Sequence, residues 1–130
     1  DLQVARVKAA TERYNSCEVN MDATGVGDPL FDLLRKAGIR TRGYKFTHQS
    51  KDALITNLSL MLEKGQITLP KPDLCPEMLD ELESFTYHVT DSGNVTTSAP
   101  GGQTDDCVVS LALAAWLVRS DPVRMIARWC

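Results

Sequence analysis

The sequence predicts an α/β domain, because strand patterns alternate with amphipathic helix patterns along its first half. Residues 18–22 alternate polar and apolar side chains, as a half-buried strand does, and residues 29–37 carry leucines at helical spacing. A second strand pattern follows in residues 39–47, and a second helical pattern begins near Ser50. This order of strand, helix, strand and helix is typical of domains with parallel strands.

Turn and cap residues mark the ends of these helices. Asp28 and Pro29 suit the N-cap and first position of the first helix, and Gly38 suits a left-handed cap at its end. Ser50 is expected to cap the next helix, which Gly65 should stop. The predicted apolar faces are Leu30, Leu33 and Leu34 in the first helix, and Leu54, Ile55, Leu58, Met61 and Leu62 in the second.

The second half of the chain predicts two helices with a β-hairpin between them. Residues 76–85 form an acidic amphipathic helix pattern. Residues 85–99 contain two runs rich in β-branched and aromatic side chains around Asp-Ser-Gly-Asn, which indicates a hairpin. After the glycine-rich loop 100–103, Thr104 is expected to cap a long helix that is apolar on almost every side and must therefore be buried. Residues 122–130 predict a last helix.

The first residues and the overall composition limit the classes of protein to which this chain can belong. The chain begins with Asp1 and enters a helical pattern at once, so we expect a piece of a longer protein. Its 130 residues, 43% of them hydrophobic, are expected to form one domain, residues 1–130. No apolar run is long enough to span a membrane and no secretory signal opens the chain, so we expect an intracellular protein with no membrane partner.

The charge distribution and the cysteines indicate which ligands the chain could bind. The net charge of −3 argues against bulk affinity for nucleic acid, yet every charged residue between positions 35 and 51 is basic and every one between 73 and 91 is acidic. The basic stretch is either a surface for phosphates or one of two solvated faces. The four cysteines and two histidines lack ligand spacing, so reduced cysteines and no zinc site are expected. The basic residues are Arg35, Lys36, Arg40, Arg42, Lys45 and Lys51.

Two acidic positions are candidates for catalysis. Asp22 follows a strand and precedes the flexible turn that contains Gly25 and Gly27. Asp105 and Asp106 stand between a glycine loop and the buried helix. The structural alternatives are a turn-forming aspartate at Asp22 and acids that favour the positive end of a helix at 105–106. Carboxylates that meet across a sheet and a helix could instead hold two divalent cations for phosphodiester cleavage.

The sequence does not support a nucleotide-binding site or a cysteine nucleophile. The chain has no Gly-x-x-x-x-Gly-Lys-Ser/Thr motif, and residues 23–29 match a dinucleotide-binding turn only loosely. Cys107 lies one turn into the apolar helix, where a packed thiol is a better interpretation than a nucleophile.

Three segments together resemble the C-terminal nuclease domain of tailed-phage and prophage terminase large subunits. They are DATGVGDPLFDLLRKAG, FTHQSKDALITNLSLMLEKGQITLP and ELESFTYHVTDSGNVTTSAPGGQTDDCVVSLALA, in the family's order. The resemblance covers about residues 5–118. It implies an RNase H-like mixed sheet flanked by helices, truncated at the amino end so that its first strands are absent, with a β-hairpin before the last long helix.

The resemblance implies a site in which carboxylates bind two Mg²⁺ or Mn²⁺ ions and DNA is hydrolysed. By motif, Asp22 matches the second acid of the family, and Asp105 and Asp106 match its Asp-Asp pair, with Asp106 the main ligand. Lys51 occupies the family's Ser-Lys position and is expected to contact phosphate, unless it is only a solvated lysine. Gln103 stands where many relatives carry histidine. Further expected DNA contacts are Arg40, Arg42 and Lys45, and the expected supporting turns contain Gly25, Gly27, Gly101 and Gly102.

The resemblance also implies partners and a setting. A packaging terminase would act on double-stranded DNA in the cytoplasm of a bacterial host, docked on the procapsid, with an N-terminal ATPase domain, a portal protein and a small terminase subunit. Because the first catalytic aspartate is expected upstream of Asp1, the fragment itself is expected to be weak or inactive, and its exposed sheet edge could pair with a second copy. The alternatives are a non-catalytic docking module of the packaging motor and an RNase H-like junction resolvase.

Overall fold

The computed structural model describes residues 2–25, 29–92 and 104–120. These residues form α1 (Leu2–Arg13), β1 (Val19–Asp22), α2 (Pro29–Lys36), β2 (Thr41–Tyr44), α3 (His48–Glu63), α4 (Pro76–Ser92) and α5 (Asp106–Val118). The predicted α/β class is therefore confirmed. The chain divides into two compact units, Asp1–Thr47 and His48–Cys130. Among the helices described here, none is both long enough and apolar enough to cross a membrane.

The first unit is built on a parallel pair of strands, as the alternation of elements predicted. Val19 of β1 lies opposite Thr41 of β2, and Asp22 lies opposite Tyr44. The pairing continues one residue further, because the backbone N–H of Ala23 donates to the carbonyl oxygen of Tyr44 at 2.9 Å. Since α2 connects the two strands, both strands end at the same edge of the sheet, and Asp22 lies at that edge.

A glycine on β2 allows the chain to turn closely after β1. A Cβ atom added at Gly43 would lie 2.6 Å from the Cβ of Ala23 and 3.5 Å from the ring of Phe31. Real Cβ atoms do not approach one another so closely, so a larger residue at position 43 would displace the segment that follows Asp22.

The end of α2 confirms the predicted glycine cap. Gly38 has a φ of 78°, and the N–H groups of Gly38 and Ile39 donate at 3.0 Å to the carbonyls of Arg35 and Leu34. Leu34 is 1% exposed, as the apolar stripe predicted, but Leu33 is 40% exposed. Leu33 is therefore not part of the buried face, because the next residue of a helix points about 100° away from its neighbour.

The second unit buries its core between three helices. The helices α3 and α4 both pack against α5. Of the face predicted for α3, four members are buried and Leu62 is half-buried. Gly65, with a φ of 65°, follows the end of α3 as predicted. The buried apolar residues of this unit are Leu54, Ile55, Leu58, Met61, Phe85, Val108, Ala112, Leu113 and Ala115.

Two predicted helix caps are wrong. The helix α3 begins at His48, so Ser50 lies inside its first turn, where Nδ1 of His48 lies 3.3 Å from a carboxylate oxygen of Asp52 one turn later. At α5 the N-cap is Asp105 rather than Thr104, whose hydroxyl is directed to another helix. At α5 the free amides of the first turn are bonded by Glu81 of α4.

The predicted β-hairpin is wrong in its first strand. Residues 85–92 continue α4, which runs unbroken from Pro76 to Ser92. The β-propensity of this run depends on a neighbouring strand to pair with, whereas a helix satisfies its backbone groups internally. Within this helix the Ser84 hydroxyl donates to the Asp80 carbonyl at 2.9 Å. The second predicted strand, 94–99, and the predicted last helix, 122–130, lie outside the described residues.

Candidate functional site

Asp22 ends β1 with its carboxylate turned back onto the following turn. Its Oδ1 accepts a hydrogen bond from the backbone N–H of Thr24 at 2.8 Å and a second, short one from the Thr24 hydroxyl. This is the turn-forming arrangement that was the structural alternative for Asp22. It occupies one carboxylate oxygen, and no described hydrogen bond reaches the other, so a role as metal ligand is compatible with the geometry.

Thr24 fastens this turn to the segment that follows the second strand. Its Oγ1 accepts a hydrogen bond from the backbone N–H of Phe46 at 3.0 Å while donating to Asp22. The ring of Phe46 in turn meets Tyr44 edge-on, with ring centroids 5.2 Å apart. The Asp22 carboxylate is therefore held by contacts from both strand ends.

Asp105 occupies the N-cap of α5 without using its side chain as a cap. Its φ and ψ are −122° and 17°, and its carboxylate makes no capping hydrogen bond. Instead, Oδ2 of Asp105 lies 3.1 Å from Nζ of Lys51 on α3, and both side chains are 28% exposed. Lys51 was predicted to contact phosphate, and in this structure its ammonium group faces a carboxylate.

Glu81 of α4 supplies the cap that Asp105 does not. One carboxylate oxygen of Glu81 accepts hydrogen bonds from the backbone N–H groups of Cys107 and Val108, at 2.8 and 3.0 Å. The other oxygen accepts from the Thr104 hydroxyl at 3.1 Å. The negative charge also favours the positive end of the helix. A side chain from another helix thus satisfies the first turn of α5.

Asp106 is the first residue of α5 and its side chain is exposed. No described side chain forms a hydrogen bond or ion pair with its carboxylate. Carboxylate oxygens suit hard cations such as Mg²⁺ and Mn²⁺, so the donor chemistry of Asp22, Asp105 and Asp106 fits the predicted metals. Within the described residues, however, no three His, Cys, Asp or Glu side chains are grouped closely enough to hold a metal ion.

The thiol of Cys107 lies beside this acidic helix start. Burial, and then the nearby Glu81 carboxylate, raise the pKa of Cys107 above its usual range, with smaller contributions from Cys75 and Glu77. The neutral thiol is thereby favoured. This supports a structural cysteine rather than a nucleophile, as the sequence indicated.

The predicted DNA contacts in the first unit interact with the protein itself. Arg42 pairs with Glu18 at 2.7 Å, and the Arg40 guanidinium donates to the carbonyl oxygen of Ser16 at 2.7 Å. Both arginine residues and Lys45 are exposed. Their predicted contacts with DNA remain predictions. Of the predicted turn glycines, Gly25 is exposed in the turn after Asp22, whereas Gly27, Gly101 and Gly102 lie outside the described residues, as does Gln103.

Sequence reasoning did not select Thr24, which donates two hydrogen bonds to Asp22, or Glu81, which caps the helix that begins at Asp106. Thr24 offered a signal, since Asp-x-Thr after a strand is a common local turn pattern. Glu81 offered none, because it lies in an acidic run whose members look equivalent and its partner amides lie far along the chain.

Comparison with known proteins covers most of the chain. A family profile described as the terminase RNase H-like domain matches residues 1–116. The terminase large subunit of Thermus phage G20c is 43% identical over 113 residues, which are 86% of this chain and 23% of that protein. The chain therefore spans less than a quarter of that relative's length.

Two solved structures are similar over nearly the whole chain. They are the large terminase nuclease of thermophilic phage G20c with bound cobalt and the same nuclease with bound magnesium. Each has a TM-score of 0.72 and 42% sequence identity, over 88% of this chain and 60% or 59% of the solved chain. The fold class and the resemblance predicted from the sequence are thus confirmed, and the chain belongs to the family of terminase RNase H-like domains.

Proposed function

We propose that this chain is the nuclease domain of a DNA-packaging terminase and serves divalent-metal-dependent cleavage of concatemeric double-stranded DNA. The observation that carries the proposal is the start of α5, where Glu81 completes the helix cap and leaves the Asp106 carboxylate exposed without a described partner. The similarity to a nuclease solved with bound magnesium and bound cobalt supports the same chemistry here.

The proposed ligands are Asp22 and Asp106, with Asp105 in a supporting role. A bound Mg²⁺ or Mn²⁺ pair would make a coordinated water more acidic and stabilise negative charge on the phosphate and on the leaving oxygen. Thr24 would orient Asp22 by holding one of its oxygens. Lys51 would partly neutralise the Asp105 carboxylate and compete with a metal for it.

Affinity for DNA in this proposal comes from the basic stretch between Arg35 and Lys51. Arg40, Arg42 and Lys45 are exposed and would contact phosphates, which gives binding that weakens with salt. The intramolecular bonds of the two arginines leave part of each guanidinium available, because this group carries five N–H donors.

Membership of the family supports a proposed setting for this activity. The protein would act in the cytoplasm of a bacterial host cell, docked on the procapsid, together with an ATPase domain of the same chain, a portal protein and a small terminase subunit. Mn²⁺ and the use of two metals rather than one belong to the proposal as well.

The test combines metal binding with cleavage. Mn²⁺ binding to the 130-residue protein is measured by loss of the free-ion EPR signal, and plasmid cleavage is measured with the protein expressed from its complete reading frame. Asp106→Asn and Asp22→Asn should each weaken Mn²⁺ binding and lower the cleavage rate by a factor on the order of 100 or more. Matched controls are Asp32→Asn and Asp73→Asn, at exposed positions with no proposed role.

The outcomes are distinct. Loss of both activities in the two site variants, with both controls unchanged, supports the nuclease. If Mn²⁺ binding and cleavage survive both site substitutions, the assignment of cleavage to Asp22 and Asp106 is wrong. If the unsubstituted protein binds DNA but does not cleave it, the chain is a docking module instead.

A further inference from the structure

We infer that Glu81 is a positioning residue for the metal site, because it fixes the start of the helix that carries Asp105 and Asp106. This inference rests on the proposed function. It assigns a role to a side chain on α4, a helix that carries none of the predicted ligands.

The geometry of Glu81 is that of a complete cap. Its carboxylate accepts three hydrogen bonds, two from consecutive backbone amides of α5 at 2.8 and 3.0 Å and one from the Thr104 hydroxyl at 3.1 Å. The first bonded amide, that of Cys107, directly follows Asp106 in the chain. The hydroxyl belongs to Thr104, the residue before Asp105. The two aspartates are therefore bracketed on both sides by bonds to one carboxylate.

This arrangement determines what the aspartates can do. An aspartate at an N-cap ordinarily accepts hydrogen bonds from the free amides of the first turn. Here those amides are already satisfied, so the Asp105 carboxylate pairs with Lys51 and the Asp106 carboxylate remains exposed. Without Glu81, the two free amides would attract the carboxylate of the N-cap residue, Asp105. The side chain would then turn toward the helix and away from a metal.

The charge balance favours the same conclusion. Glu81, Asp105 and Asp106 bring three carboxylates to one helix end, and among the described residues Lys51 pairs with one of them, Asp105. Of the three, Glu81 has its charge spread over three hydrogen bonds, which makes it the least available for a metal. A positioning role is therefore more consistent with its contacts than a role as ligand.

The test compares three variants of the 130-residue protein for Mn²⁺ binding by EPR. Glu81→Ala removes the cap and should weaken Mn²⁺ binding by about 10- to 100-fold, the usual effect of losing a residue that orients a metal ligand. Glu81→Gln keeps an acceptor oxygen for both amides and should restore most of the affinity. Glu83→Ala, at an exposed position of the same helix, should leave it unchanged.

Hydrogen exchange separates positioning from general stability. In Glu81→Ala, the amides of Cys107 and Val108 should exchange faster while those of α3 stay protected. If these two amides exchange faster yet Mn²⁺ binds as tightly as in Glu83→Ala, Glu81 is only a structural cap and the inference is overturned. Should Glu81→Ala fail to fold, Glu81→Asp keeps the charge but shortens the reach. It should bind Mn²⁺ several-fold more weakly, and unchanged affinity would overturn the inference equally.

Asp106→Asn distinguishes this inference from the proposed function. If that variant loses Mn²⁺ binding while Glu81→Ala retains it, only the role of Glu81 is overturned. If Asp106→Asn binds Mn²⁺ normally, the proposed ligand set is wrong and the positioning role falls with it.

Discussion

Lys51 and Asp105 form an ion pair between α3 and the first turn of α5, with Nζ 3.1 Å from Oδ2. If Asp105 supports a metal, Lys51 competes with that metal for the carboxylate. Lys51→Met should therefore raise Mn²⁺ affinity by about 3- to 10-fold, which is the order expected from removing a positive charge close to a partly exposed site. The measurement is an Mn²⁺ titration followed by EPR at two salt concentrations, because screening should reduce the gain.

Lys64→Met provides the matched control, since Lys64 is an exposed lysine just past the end of the same helix. It should leave Mn²⁺ affinity unchanged. A decrease in affinity for Lys51→Met would show that the lysine holds Asp105 in a binding position and does not compete for it.

Removal of the Thr24 hydroxyl should loosen Asp22. Thr24→Val loses the hydroxyl bond to Asp22 and the acceptor for the Phe46 amide. The expected cost is about 1 kcal/mol for each bond, at most, since the site is exposed. It should appear as a lower urea midpoint with an unchanged m-value. Cleavage by the protein from the complete reading frame should also fall, because Asp22 loses part of its support.

Thr24→Ser keeps the hydroxyl and should retain both properties. Thr56→Val, at an exposed position of α3, controls for the loss of a surface hydroxyl. Equal midpoints for Thr24→Val and Thr56→Val would mean that the bonds to Asp22 and Phe46 add no stability.

The stability of the second unit should depend on which leucine of α3 is replaced by alanine. Leu54 is fully buried and Leu60 is 47% exposed. Leu54→Ala should lower the free energy of unfolding by about 2–5 kcal/mol, through lost burial and the cavity left behind. Leu60→Ala should change it by roughly 0.5 kcal/mol or less. Urea denaturation followed by circular dichroism compares the two, and similar losses would contradict the packing of α3 against α5.

Cys107 should react slowly with alkylating reagents. Its raised pKa and partial burial disfavour the thiolate, whereas Cys17 is exposed. Iodoacetamide in EDTA at neutral pH, with peptide mass spectrometry, should therefore label Cys17 before Cys107. Equal labelling rates at the two positions would contradict this environment for Cys107.

The same thiol should make stability depend on pH in the alkaline range. The folded state keeps a proton on Cys107 that the unfolded chain releases, so the free energy of unfolding falls as pH rises through the ordinary thiol range. Cys107→Ser should remove this part of the decline between about pH 8 and pH 10. Urea midpoints measured at both ends of that range, in the parent protein and in the variant, provide the check.

The parts of the fold that could be predicted from sequence are those governed by local chemistry. Gly38 and Gly65 mark the ends of helices because few other residues tolerate their left-handed backbone conformation. Leu54 and its neighbours on α3 could be assigned to a buried face from their spacing alone. Asp22 could be placed at the end of a strand because alternation stops there and a glycine turn follows.

The failures of prediction concern contacts between distant segments. The run from Phe85 has side chains that suit a strand, but strand formation depends on a pairing partner that local sequence does not specify. Thr104 has the chemistry of an N-cap, yet Glu81, 23 positions earlier, binds its hydroxyl and takes over its capping role. The candidate aspartates could thus be selected from motifs, and Thr24 from its place two residues after Asp22, whereas Glu81 could be found only from the structure.

Because Gly43 has no side chain, the residues that can be accommodated at positions 23 and 43 depend on each other. The Cβ of Ala23 fills the space that a residue larger than glycine at 43 would need, so the neighbours of Asp22 cannot be varied one at a time. A library that randomises position 43 together with the turn after β1 would lose most members carrying a bulkier residue at 43, whatever their effect on metal binding. Experiments that alter the surroundings of Asp22 should therefore vary positions 23 and 43 together and keep both side chains small.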